Sequence, residues 1–149
     1  MRVDEIMQTD LVSCDPTATV VEAAATMCAR GVGACLVMEG PRLAGIFTER
    51  DLLRVFAEGE DVRQRTVADL MTRDVTMAPP DADVIWAADT MKRIRARHLP
   101  VGEDGMVAGI VSLRDLFVMA EAVLRLDPDG ATTAREMLAA ASGRKEDSP

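Results

Sequence analysis

Two stretches of this chain carry a hydroxyl and a carboxylate at one spacing, Thr48 with Asp51 and Ser112 with Asp115. Each pair follows a β-prone run, Leu43-Ala44-Gly45-Ile46-Phe47 or Val107-Ala108-Gly109-Ile110-Val111, and opens a helical one. Each therefore marks a strand turning into a helix, where several backbone N–H groups lack partners at the positive end of the helix dipole. A hydroxyl beside those N–H groups makes a seat for a phosphate. A carboxylate one turn on can accept hydrogen bonds from both hydroxyls of a ribose. The same residues also spell a capping box, which satisfies the N–H groups with no ligand at all. Residue types alone favour the cap.

Covalent and acid–base chemistry finds less support. His98 is the only histidine, no nucleophile stands beside a base, and no Walker loop is present. Cys14, Cys28 and Cys35 are odd in number, lack C-x-x-C spacing and lie far in sequence from His98, so neither a disulfide framework nor a standard zinc site follows. They read as three reduced cysteines packed as small hydrophobes, and nothing in the sequence supports a redox-sensing role. The expectation is a chain that is not an enzyme, requires no cofactor and holds no metal.

The elements that position the two pairs come from a duplication. Set against itself at an offset of 64, the chain matches without gaps from Val3–Leu53 onto Val67–Phe117, with 18 identities in 51 pairs, where average usage gives about three. Both copies read alike. Leu11–Cys14 and Val75–Ala78 are short β-prone pieces, each followed by a proline turn. Val20, Ala23, Ala24 and Met27 then recur at helical spacing, and Val84, Ala87, Ala88 and Met91 repeat them, so both stripes are predicted core. Two β-prone runs separated by a Gly-containing turn follow, and then a second helix from Thr48 to about Ala57 or from Ser112 to about Leu126. The fold class expected is α/β (α+β): two β-α-β-β-α repeats about a pseudo-two-fold axis, since two copies are too few for a solenoid. The domains are read as 1–60 and 61–126, with 127–149 adding a short C-terminal helix (Thr133–Ala141) and a polar tail.

Each copy opens with Val-x-[Asp/Glu]-[Ile/Leu]-Met (Val3–Met7, Val67–Met71) and closes with Gly-Ile-x-[Thr/Ser]-x-Arg-Asp-Leu, and the second also contains Arg97-His98-Leu99-Pro100-Val101. Over about Val3–Val118 this pattern resembles the tandem cystathionine β-synthase (CBS) domain pair, the Bateman module. That resemblance implies a free-standing bacterial-type regulatory or sensor module. It would bind an adenine nucleotide or related adenosyl ligand (AMP, ATP, S-adenosylmethionine or NAD(H)) in clefts between two CBS domains and signal to a downstream protein. It also shifts the reading of Thr48/Asp51 and Ser112/Asp115 from cap to ligand contact. In the family each such signature works with the strand start of the other domain, which pairs Thr48 and Asp51 with Ala96, Arg97 and His98, and Ser112 and Asp115 with Val32, Gly33 and Ala34. The first-copy strand departs from the family's Leu-Pro-Val ending, carrying Ala34-Cys35-Leu36-Val37 instead. Arg50 and Arg114 either aid the phosphate or pair with neighbouring acids, the ordinary state of an exposed arginine. The competing function is a ligand-free dimerisation or interaction module.

Composition bounds the partners. The net charge of −8 repels a phosphate backbone, and no tyrosine, one tryptophan and three phenylalanines leave few platforms for stacking bases, so nucleic acid is not expected. Acids fall within the first seven residues, where a signal peptide has an apolar run, and no stretch is apolar for long enough to span a membrane, so the expected location is the cytoplasm. Trp86, which stands where the first copy has Glu22, suggests an interface anchor and a homodimer. Packing of Trp86 on the C-terminal extension is the other reading.

Overall fold

A computed structural model describes residues 1–126 together with Thr132, Arg135, Glu136 and Ala139. In it the periodicities become elements in this order: β1 (Ser13–Cys14), α1 (Val20–Arg30), β2 (Ala34–Glu39), β3 (Arg42–Thr48), α2 (Glu49–Ala57), α3 (Val67–Leu70), α4 (Val84–Ile94), β4 (His98–Glu103), β5 (Met106–Ser112) and α5 (Leu113–Leu126). The class is mixed α and β, as expected. Arg135, Glu136 and Ala139 are helical, while the rest of the expected Thr133–Ala141 helix and the tail beyond it lie outside the described residues. Among the described residues no helix is long and apolar enough to cross a membrane.

The chain forms two units. One, the first-copy unit, comprises Asp10–Thr76 with Asp104–Val107. The other, the second-copy unit, takes Met1–Thr9, Met77–Glu103 and the described residues from Ala108 on. In the first-copy unit β1 runs parallel to β2, and β2 is antiparallel to β3 with an irregularity at Val37/Met38. Val20, Ala23 and Met27 of α1 are buried against Val37, Phe47 and Val55, and Ala24 is half-buried. The second-copy unit packs Val84, Ala87, Ala88 and Met91 of α4, all buried, with Leu99, Val101, Val111 and Leu116.

Two details separate the copies. The counterpart of β1 shrinks to one parallel bridge, Ala78 with Val101. Pro79 and Pro80 follow at once, and proline has no N–H with which to extend a ladder. The helices also end differently in sequence but alike in backbone: α1 stops at Gly31 with φ 63°, α4 at Arg95 with φ 56°. That left-handed conformation is free for glycine and costs a side chain about 1–2 kcal/mol.

The Val-x-[Asp/Glu]-[Ile/Leu]-Met segments explain the glycines of β3 and β5. In the first-copy unit Val67 N–H donates to the Ala18 carbonyl at 2.9 Å, and Thr72 exchanges two 2.9 Å hydrogen bonds with Ile46. A Cβ on Gly45 would stand 2.5 Å from Met71 Sδ and 2.8 Å from the Thr72 carbonyl oxygen, closer than side-chain atoms tolerate. The second-copy unit repeats the device: Val3 N–H donates to the Ala82 carbonyl at 2.8 Å, Gln8 pairs with Ile110, and Met7 covers Gly109. Each lead-in segment thus packs in the unit that holds the other copy's strands.

Candidate functional site

Thr48 and Ser112 sit where the sequence places them, as the last residues of β3 and β5 before α2 and α5. Thr48 has extended backbone, φ −129° and ψ 163°, which turns its N–H and hydroxyl toward the first helical turn. Asp51 Oδ2 accepts from both, at 2.8 Å each. Asp115 Oδ2 likewise accepts from the N–H of Ser112 at 2.7 Å and from its hydroxyl at 2.6 Å, and Asp115 N–H donates back to Ser112 Oγ at 3.2 Å. The capping boxes are therefore built. All four side chains are half-buried.

The second carboxylate oxygens face different donors. Arg54 Nη2 lies 3.4 Å from Asp51 Oδ1, one turn along the same helix, and Gln8 Nε2 donates to Asp115 Oδ1 at 3.2 Å. Neither partner figured in the sequence reading. Arg54 was recoverable from its i, i+3 spacing, whereas Gln8 is 107 positions away and reaches Asp115 only because the lead-in segment pairs with β5.

The strand starts lie beside the helix starts of their own copies. Glu49 N–H donates to the Gly33 carbonyl at 3.1 Å, and Leu113 N–H to the Arg97 carbonyl at 2.9 Å. A Cβ on Gly33 would come 3.3–3.4 Å from the Glu49 carboxylate, so that acid leans over the strand start of the first-copy unit. The equivalent position beside Arg97 is Leu113, which leaves the second-copy unit without this negative charge. Ala34 is buried, Gly33, Ala96 and His98 are half-buried, and Val32 and Arg97 are exposed. Within each unit the arrangement brings a hydroxyl and a carboxylate to a helix start beside a strand-start backbone, groups that suit the hydrogen bonds of a phosphorylated ribose, while the N–H groups of Glu49, Leu113 and Asp115 are already donated inside their units. Among the described residues no grouping of His, Cys, Asp and Glu could hold a metal ion.

Comparison with known proteins decides the family. A profile described as "CBS domain" matches residues 3–58 and again 67–122. The chain belongs to the CBS domain family. This CBS pair is 34% identical over 117 residues to the CBS domain-containing protein YhcV of Bacillus subtilis, covering 78% of this chain and 83% of YhcV. The CBS-domain protein ATU1752 of Agrobacterium tumefaciens superposes with a TM-score of 0.74 at 33% identity, over 81% of this chain and 99% of that one. The CBS domain protein PAE2072 of Pyrobaculum aerophilum, whose structure is a complex with AMP, gives a TM-score of 0.74 at 26% identity, over 86% and 99%.

Proposed function

We propose that this CBS pair is a non-catalytic regulatory module of the cytoplasm that binds adenine nucleotides and passes their occupancy to a partner protein. The observation that carries the reading is the AMP complex of PAE2072, a relative at 26% identity and a TM-score of 0.74. The twice-built hydroxyl–carboxylate helix start supports it. Thr48 and Ser112 seat phosphate, and Asp51 and Asp115 offer their Oδ1 atoms to the ribose diol in place of Arg54 and Gln8. Val32, Gly33 and Ala34 in the first-copy unit, and Ala96, Arg97 and His98 in the second-copy unit, add strand-start groups for the ligand, with Arg97 supplying positive charge for phosphate.

The test is a thermal-shift and calorimetric titration of the full chain with AMP, ADP, ATP, S-adenosylmethionine and NADH. A ligand that binds only the native state adds RT ln(1 + [L]/Kd), about 2.7 kcal/mol at a hundredfold excess over Kd. A rise in Tm with at least one of these ligands is expected. No shift with any of them would leave the ligand-free interaction module as the function.

The homodimer belongs to the same proposal. It is supported by exposed apolar side chains on α2, where Leu53 is 68% and Phe56 80% accessible at i, i+3 spacing. Trp86 on α4 is also exposed. The alternative packing of Trp86 on the C-terminal extension falls outside the described residues.

A further inference from the structure

The three cysteines are not three alike. Cys28 is exposed, Cys35 buried and Cys14 between the two, so only Cys35 is fully packed as a small hydrophobe. Cys14 lies on β1 opposite Val37, and Cys35, two residues before Val37 on parallel β2, occupies the diagonal position on the same face. Their Sγ atoms stand 3.4 Å apart, with the Cys35 thiol donating to Cys14. That donated hydrogen bond favours a thiolate on Cys14 and holds its thiol below the ordinary range, whereas the same bond and burial push Cys35 up. The accessible sulfur is therefore the one readied for attack, and the buried sulfur waits beside it.

We propose that Cys14 and Cys35 form a peroxide-responsive pair that closes into a reversible intramolecular disulfide. The Cys14 thiolate attacks one oxygen of hydrogen peroxide. The O–O bond breaks, Cys14 becomes a sulfenic acid, and the departing hydroxide takes up the proton that Cys14 had lost, forming water. The Cys35 sulfur then attacks the Cys14 sulfur. The S–S bond forms as the S–O bond breaks, and the Cys35 proton leaves with the hydroxyl as a second water. Two thiols are oxidised by two electrons and one peroxide is reduced to two waters, and a dithiol reductant reverses the change by thiol–disulfide exchange. Closure draws the sulfurs from 3.4 Å to about 2.05 Å. The movement falls on β1, a strand of two residues that is paired on one side only.

Cys35 directly follows Ala34 of the proposed nucleotide-binding set. An effect of the disulfide on nucleotide affinity thus rests on that reading, whereas the disulfide itself does not. The experiment exposes the reduced, folded full-length protein to hydrogen peroxide, then denatures it so that buried Cys35 becomes accessible, alkylates it with iodoacetamide and reads intact mass and peptides. Before alkylation the expected mass is about 2 Da lower. Two of the three thiols per chain should be lost to alkylation with Cys28 still reactive, a Cys14–Cys35 peptide should appear, and dithiothreitol should restore all three. Cys35→Ser should stop at a Cys14 sulfenic acid trapped by dimedone, and Cys28→Ser should behave as the unmodified chain. Continued alkylation of both Cys14 and Cys35, a cross-link through Cys28, or oxidation of Cys14 to sulfinic acid without a cross-link would each overturn the proposal. These readouts are independent of whether any nucleotide binds.

Discussion

Asp51 and Asp115 are asked to do two things with one carboxylate, and the geometry divides the work between its oxygens. Oδ2 completes the capping box in both units, while Oδ1 meets a long contact from Arg54 or a side-chain amide from Gln8. The cap and the ribose contact are therefore compatible, where the Thr-x-x-Asp and Ser-x-x-Asp patterns alone set them against each other. The consequence is measurable. Asp51→Ala should lower the stability of the ligand-free protein by about 1 kcal/mol, the usual loss of a cap. It should also weaken AMP binding by about 1.5–3 kcal/mol, roughly ten- to a hundredfold. Denaturant unfolding and calorimetric titration of Asp51→Ala and Asp115→Ala separate the two effects. A loss of stability with unchanged AMP affinity in both variants would make these residues caps only.

At the scale of elements, the glycines of β3 and β5 follow from the lead-in segments that cross them. Gly45 lies under Met71 and the Thr72 carbonyl, and Gly109 under Met7 and Gln8. Backbone cannot retreat from an added methyl as a flexible side chain can, because Thr72 is tied to Ile46 by two hydrogen bonds. Gly45→Ala should therefore destabilise the protein by about 1–3 kcal/mol, the usual penalty of overpacking. Gly109→Ala should do the same in the second-copy unit. Urea unfolding monitored by circular dichroism measures both, and a change within about 0.5 kcal/mol, typical of an unconstrained surface site, would show that this packing does not require glycine. The repeated Met and Gly were visible as identities in the sequence, but their contact was not. Gly45 and Met71 belong to different copies and stand 26 positions apart, Met7 and Gly109 stand 102 apart, and each pair meets only once the lead-in segment has paired with the strand.

For the molecule as a whole, the exposed apolar side chains of α2 give the self-association proposal a definite target. Leu53 and Phe56 lie one turn apart, so they present a single apolar surface that water covers poorly in the isolated chain. The protein is expected to sediment as a dimer at micromolar concentration. The double variant Leu53→Asp/Phe56→Asp should sediment as a monomer with an unchanged circular dichroism spectrum. Analytical ultracentrifugation checks this, and a monomeric mass for the unmodified chain would remove the homodimer.

What the sequence by itself determined is what depends on near neighbours and on comparison of the two copies. The 64-residue repeat, the helix stripes of Val20–Met27 and Val84–Met91 and the helix starts at Thr48 and Ser112 all follow from spacing, because burial of one helix face and capping of one helix end are local requirements. Tertiary structure decided which unit each lead-in segment joins. Val3–Met7 and Val67–Met71 are near-equivalent in residue type, so either pattern suits either set of strands, and only the folded path of the chain selects one. It also decided that Gln8 reaches Asp115 and that Cys14 meets Cys35. Both contacts hang on strand register, in which a shift of one residue turns every side chain to the opposite face, and no spacing within the sequence specifies it.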